Sequence, residues 1–243
     1  MLSANYLRRE RRAAPWAILN GGATGRRRVV IEAVVDPVPI GQGATRRRML
    51  SAAARLFARR GFHDVGITEV AGELGMTGAA LYRHFPNKVA LLVALCDVVA
   101  TRVIEAGMEH VASGRDDHEV LAGLIDGQLG MALDDRDVLV TYLREMSTLP
   151  HADFRRLRRM QRLYLEEWVH VVTGLRPDLP EFEVRALVHA AIGVLHSAAQ
   201  YESGLPRARQ ERLLRAAAYR ALGIEPPPEE PPLPAEPPLP ADL

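Results

Sequence analysis

A single cysteine, Cys96, stands among 243 residues, so no disulfide can form within the chain, and a reducing, cytoplasmic setting is expected. No apolar run approaches the roughly 18 residues that a membrane span needs. The N-terminus also lacks the apolar segment of a secretory signal. Alternation of period two, the mark of half-buried strands, is missing as well. Net charge is only +1. These absences point away from secreted, disulfide-stapled and membrane-spanning classes and towards a soluble intracellular protein with no membrane partner. What is present is 48% hydrophobic and 25% charged, the balance of an ordinary globular protein. The length suits one medium domain or a small domain plus a larger one.

The small net charge hides an asymmetry. Residues 1–48 carry ten arginines against Glu10, Glu32 and Asp36, whereas residues 225–243 carry five carboxylates and no base. A basic front and an acidic tail predict that a polyanion is met near the N-terminal half. Residues 1–44 lack sustained periodicity and are rich in glycine, so they are expected to form a flexible basic arm, with one short extended piece at Val29–Val35. This arm reads either as an extension that tracks DNA or as a solvated leader. The tail repeats EPPLPA at 230–235 and 236–241, which favours solvated polyproline II over residues 224–243.

Between the two ends the periodicity is helical. Met49, Ala53, Leu56 and Phe57 lie on one face of a helix over 46–60, which Gly61 stops. Ile67, Val70, Ala71 and Leu74 define a second helix after Gly66, and Gly75 supplies a left-handed turn. Thr77 caps a third helix with Leu81 and Phe85 inward. After Pro86 and Asn87 further helices are expected at about 88–112, 117–133, 136–148, 151–173, 181–203 and 206–222. The fold class is all-α.

The stretch LGMTGAALYRHFPNK, residues 74–88, sets small residues beside aromatic and cationic ones. Two short helices joined at Gly75 form a helix-turn-helix whose second helix enters the major groove of double-stranded DNA. Gly78, Ala79 and Ala80 permit close approach of that helix, while Thr77, Tyr82 and Arg83 reach bases or phosphates. Arg83 is the candidate for bidentate contact with guanine. His84, Tyr82 and Lys88 are the phosphate candidates, Lys88 aided by the N-terminus of the fourth helix.

Residues 46–92, with the LF and RG pairs of the first helix, Ala71 and Gly75 at the turn, LYRHF, and the lysine after proline and asparagine, resemble the DNA-binding domain of TetR-type regulators. The resemblance implies a homodimeric, all-α repressor with an N-terminal helix-turn-helix at 45–90 and a C-terminal ligand-binding and dimerisation domain at 91–223. One departure is Gly66, where members of the family often carry Ser or Thr at the cap of the second helix. The arm is also longer than the family's usual lead.

In the C-terminal region Tyr142, Met146, Tyr164, Trp168, His189 and His196, with Phe154, Phe182 and Tyr201 nearby in sequence, are enough to line an apolar pocket with a few polar groups. Each taken singly also fits a core position. The small-molecule effector rests on the resemblance and is expected to be apolar or lipid-derived, such as an acyl thioester. Ala186, Ala190, Gly193, Val194 and Ser197, with Leu213, Leu214 and Ala217, offer faces for a four-helix dimer interface. Two-fold symmetry then predicts a palindromic operator.

The expected function is therefore a dimeric repressor released by its effector. The alternatives are a constitutive or activating DNA binder without ligand and, least supported, an α-helical metal enzyme. Glu166 or Glu167 with His170 has the spacing of half a di-metal site, but no second Glu-x-x-His is present. GGATG at 21–25 lacks the Lys-Ser/Thr of a phosphate loop. No cofactor, metal or catalytic residue is assigned.

Overall fold

The computed structural model describes residues 43–112 and 116–227, with side chains for 43–102 and 116–227. The expected arm, up to residue 42, and the tail from 228 onward lie outside the described residues. All regular structure among the described residues is helical, and the protein is all-α. The helices are α1 (Ala44–Arg60), α2 (Ile67–Glu73), α3 (Gly78–Tyr82), α4 (Lys88–Ala112), α5 (Asp117–Asp134), α6 (Arg136–Glu145), α7 (His151–Leu175), α8 (Glu181–Gln200) and α9 (Arg207–Leu222).

The first three helices form where their local signals place them. In α1, Met49, Ala52, Ala53 and Phe57 are fully buried on one face, and Gly61 ends the helix at φ +86°. The α2–α3 turn is a Schellman arrangement: the Met76 N–H reaches the Ala71 carbonyl at 2.9 Å, and the Gly75 N–H reaches the Gly72 carbonyl at 3.0 Å. Gly75 takes φ +64° there, a conformation that a side chain would strain. Thr77 caps α3 by accepting the Ala80 N–H at 3.3 Å. Gly66 has no side chain to offer α2, but Glu69 reaches back to its N–H at 3.3 Å, which supplies half of a capping box.

Helices α4, α5, α7 and α8 pack against one another, and Trp168, Leu121, Leu124, Ile125, Val172 and Leu195 are buried in this bundle. Two helix ends fall three residues short of those expected. The helix beginning at Arg136 ends at Glu145 and tightens into a 3-10 turn at Met146–Thr148. The helix expected to reach 203 stops at Gln200, because Arg136 Nε takes the Ala199 carbonyl at 2.8 Å and its guanidinium pairs with Glu202, which caps the last turn from outside.

The two ends of this assembly are stitched together by hydrogen bonds of long sequence separation. Thr141 Oγ1 donates to the Ala54 carbonyl at 3.3 Å, Arg144 Nη1 donates to the Ala58 carbonyl at 2.9 Å, and buried Glu145 accepts the Phe62 N–H at 3.1 Å. All three come from α6, so this helix grips the end of α1 and the loop after it. Asp97 of α4, itself buried, is held by Arg156 of α7 at 2.6 Å.

Candidate nucleic-acid interface and regulatory cavity

In α3, Leu81 and the following Phe85 are buried and fasten the helix to the domain, which turns the rest of the segment outward. Thr77, Ala79, Tyr82, Arg83 and His84 are exposed, while Gly78 and Ala80 are half-buried. The helix is short, and Arg83 and His84 lie just past its last residue, Tyr82. Gly78 also packs inward, since a Cβ at that position would touch Thr68 Cγ2 at 3.4 Å. The missing side chain thus serves the α2–α3 contact.

Two features of the interface were invisible in the local sequence. Arg46, at the start of α1, donates to the His84 carbonyl at 3.2 Å and stacks over the Phe85 ring at 4.2 Å, so α1 buttresses the far end of α3. Burial lowers the pKa of that guanidinium. Its neighbours Arg47 and Arg48 are exposed beside it. The second feature corrects the phosphate role expected of Lys88. Its ammonium donates to the carbonyls of Phe62, His63 and Val65 at 2.8, 3.2 and 3.0 Å, and it lies 4.4 Å from the centre of the Phe62 ring. An ammonium has three donors, and all three are spent on the α1–α2 loop. The Asn87 carboxamide likewise occupies the Ala90 N–H at 2.8 Å, taking one amide from the start of α4.

A cavity of about 80 Å³ lies inside the C-terminal helices, walled by Val99 and Ala100 of α4, Gln128 of α5, Leu139 and Tyr142 of α6, Met160, Gln161, Tyr164 and Leu165 of α7, and His189, Ile192 and His196 of α8. Four of the six residues expected at a pocket, Tyr142, Tyr164, His189 and His196, are on its wall. Met146 and Trp168 are not, and the expectation for them is corrected. Trp168 is turned wholly into the core, with its ring edge-on to Tyr164 at 6.3 Å, and Met146 is buried in the 3-10 turn. Phe182 and Tyr201 are 73% and 69% exposed and lie away from the cavity.

The polar part of the wall is a relay that composition could not reveal. His196 Nε2 lies 3.0 Å from Gln128 Oε1, and Gln128 Nε2 donates to the Tyr164 hydroxyl at 3.1 Å. Burial holds the His196 imidazole down to about 4 and pushes the Tyr142 and Tyr164 phenols up to about 12. The relay is therefore uncharged at neutral pH. Gln128, a lone amide in the apolar run LAGLIDGQLGMAL, is the sequence signal of this relay.

Elsewhere, Ala186, Ala190, Gly193, Ser197 and Leu213 are exposed, and Val194, Leu214 and Ala217 are half-buried, on the outer sides of α8 and α9. Glu166 is held in a bidentate pair by Arg185 at 2.8 and 2.9 Å. Among the described residues no three His, Cys, Asp or Glu side chains gather as a metal set. Cys96 is buried in α4, and its thiol is pushed up to about 12, first by burial and then by Asp97. No helix among the described residues is long and apolar enough to cross a membrane.

Comparison with known proteins agrees with this geometry. Residues 49–95 match the family model described as bacterial regulatory proteins, tetR family. The HTH-type transcriptional regulator YerO of Bacillus subtilis is 32% identical over 102 residues, 41% of this chain and 35% of its own length. The HTH-type transcriptional repressor KstR2 of Rhodococcus jostii is 25% identical over 133 residues, 54% of this chain and 65% of its own. The chain thus spans between a third and two thirds of these curated relatives. Among solved structures, AibR in complex with isovaleryl coenzyme A and operator DNA superposes with a TM-score of 0.63 at 19% identity, over 75% of this chain and 98% of that one. At that identity the likeness concerns the fold alone. With α1–α3 arranged as a helix-turn-helix, its outward residues on α3 and just beyond, and the sequence match over that same segment, residues 49–95 resemble the DNA-binding segment of the tetR family of bacterial regulatory proteins.

Proposed function

We propose that this DNA-binding transcriptional regulator is a ligand-responsive repressor, which occupies a palindromic operator as a homodimer and is released when a small effector enters the C-terminal cavity. In this reading residues 45–90 read the DNA, residues 91–223 bind the effector and the second subunit, the arm at 1–44 lies beside the DNA, and the acidic tail at 224–243 is solvated. Arg83 selects bases, Tyr82 and His84 hold phosphates, and Thr77 to Ala80 form the closely approaching edge of α3. Pairing of the α8 and α9 faces sets two reading helices about 34 Å apart, one turn of duplex. The repressor name of the relative KstR2 supports the sign of regulation, and the coenzyme A ester and operator DNA bound to AibR support the two kinds of partner.

The observation that carries the proposal is that one residue, Phe62, is held by both helices that wall the cavity on the side of the DNA-binding domain. Its carbonyl is taken by Lys88 of α4 and its N–H by Glu145 of α6. The same two helices present Val99, Ala100, Leu139 and Tyr142 to the cavity. An effector that spreads those walls pulls on the loop that joins α1 to α2. That displaces the two reading helices of a dimer relative to each other. It can do so only in proportion to its preference for the spread form, and couplings of roughly 1–3 kcal/mol are typical of such systems.

The test is fluorescence anisotropy with the DNA upstream of the protein's own gene at two salt concentrations. Tight binding that weakens steeply with salt and is lost when an effector is added is the expected result. Equal, weak binding to every duplex would overturn the reading. Salt-sensitive, specific binding that no compound alters would favour the ligand-free alternative, a constitutive or activating regulator.

A further inference from the structure

Helix α7 carries a basic face that no described carboxylate neutralises. Arg155, Arg158, Arg159 and Arg162 are exposed, and among the described residues none of them lies within ion-pair distance of an Asp or Glu. Arg156, between them, is held by Asp97 and Asp153, and Arg158 donates to the neutral amide of Gln161 at 3.0 Å. Neighbouring helices differ, since Arg185, Arg207 and Arg215 each hold a carboxylate. Positions i, i+3, i+4 and i+7 share one side of a helix. With a rise of about 1.5 Å per residue, this file of guanidiniums runs for roughly 10 Å. Like charges so placed repel one another, and a line of anions beside them relieves the repulsion.

The complementary charge is carried by the same chain, and the fold sets where it starts. From Glu225 onward the sequence has five carboxylates and no Lys or Arg. The chain leaves α9 beside the C-terminal end of α7, because Arg176, next after Leu175, donates to the carbonyls of Leu222 and Gly223 at 2.8 and 3.2 Å. Ile224 is buried there, which fixes the point of exit. Along α7, Arg162 lies about 21 Å back from Arg176 and Arg155 about 32 Å back. A polyproline II chain advances about 3.1 Å per residue, which carries Glu230 about 22 Å from Gly223 and Glu236 about 40 Å. The arginine file falls inside that span. Three residues make one turn of such a chain, so the EPPLPA repeat sets Glu230, Leu233, Glu236, Leu239 and Asp242 along one side and its prolines along the other two.

We propose that the arginine face of α7 is the docking surface for this chain's own acidic tail, residues 228–243. The tail runs back along α7 with Glu229 and Glu230 at the Arg162 end and Glu236 towards Arg155. The contact is between surface charges, so the tail stays solvated on its outer side and nothing of it enters the cavity. Its consequence is electrostatic. A file of free guanidiniums attracts any duplex through its phosphates without regard to sequence. A tail that covers the file keeps that attraction from competing with the reading helix, as a tethered stand-in for nucleic acid. One exposed ion pair shifts an equilibrium at most about fivefold, so several must act together from the tether, and salt releases them. The inference goes beyond the ligand-responsive reading and does not depend on any effector.

The experiment is time-resolved fluorescence anisotropy of the full chain bearing Ala235→Cys labelled with a maleimide dye, which enters at 235 because Cys96 is buried. At low salt a docked tail gives the dye a slow component that tumbles with the protein, expected to fall at least about threefold in amplitude at about 0.5 M salt. The triple variant Arg155→Glu, Arg158→Glu, Arg162→Glu should abolish the slow component, with the fold intact because all three residues are exposed. Adding Glu229→Lys, Glu230→Lys, Glu236→Lys should restore it, which a merely structural effect of either set would not do. Affinity for a duplex of random sequence is the second readout. Glu229→Gln, Glu230→Gln, Glu236→Gln should tighten that binding about tenfold in the wild-type background, and much less once Arg155, Arg158 and Arg162 are replaced by Gln. A dye that moves freely at low salt, or a slow component indifferent to the arginine reversal, would overturn the inference. So would a slow component that appears only as protein concentration rises, which would give the face to a second copy. An equal gain in duplex affinity in both backgrounds would also overturn it, since the tail would then act through net charge alone.

Discussion

The ammonium of Lys88 donates to the carbonyl of Phe62 at 2.8 Å and sits 4.4 Å from the centre of that residue's ring. A lysine whose position in the sequence suggests a phosphate ligand is thereby a clamp between α4 and the α1–α2 loop. Lys88→Met keeps the length of the side chain and removes the donors, leaving three carbonyls to find water. We expect a stability loss of about 1–3 kcal/mol, read as a lower denaturation midpoint. The slope of operator affinity against salt should be unchanged. A slope smaller by about one unit would mean that Lys88 contacts a phosphate after all.

Arg83 is exposed and has no side-chain partner among the described residues. Arg83→Ala should therefore leave thermal stability untouched and cost about 1–3 kcal/mol of discrimination between the operator and a duplex altered at one guanine. Anisotropy with the two duplexes measures this. Equal loss on both would reassign Arg83 to a phosphate.

The imidazole of His196 titrates near 6.5 when unfolded and is held down to about 4 in the fold by burial. Between those values the unfolded chain binds the extra proton, so acid favours unfolding. The contribution of His196 is complete and independent of pH above about 7, and it is lost progressively as pH falls through 6.5 towards 4. Urea denaturation at pH 7 and pH 5 should show a drop in stability that is smaller in His196→Gln. An identical drop in both proteins would place the acid sensitivity elsewhere.

Thr141 and Arg144 bind the Ala54 and Ala58 carbonyls from α6. If α6 carries the signal, the variant Thr141→Val, Arg144→Ala should bind operator DNA within a few-fold of wild type while the effector's power to release it declines. Operator affinity with and without saturating effector gives the coupling, expected to fall by about 0.5–2 kcal/mol. Undiminished release would leave α4 as the sole route.

A Cβ built on Gly193 meets nothing within 4 Å, and the position is exposed on α8. Gly193→Leu should therefore be harmless to the protomer's own packing yet obstruct close approach of a second α8. A monomer in sedimentation at micromolar concentration, with weakened operator binding, is the expected outcome. A dimer of undiminished affinity would move the interface away from this face.

How much of this was legible from the chain differs by element. The spacing of Met49, Ala53 and Phe57, the stop at Gly61, the turn at Gly75 and the cap at Thr77 could all be read, because each rests on contacts within about four or five residues. The ends of α6 and α8 could not, because Arg136 caps α8 from 63 residues away in sequence. The aromatics sorted poorly for the same reason. Tyr164 and Trp168 are one turn apart on α7, yet one touches the cavity and the other fills the core. Helical spacing shows which side of α7 is apolar but not what the neighbouring helices leave open.

The sequence by itself determined an all-α chain with a helix-turn-helix and the residues that face outward from it. Periodicity, caps and a left-handed glycine are local chemistry, complete within a few turns. Only the tertiary structure decided that Lys88 serves the loop and that Gln128 joins His196 to Tyr164. Each of those depends on where separate helices meet, and that is set by the packing of whole faces, which no single stretch of residues specifies.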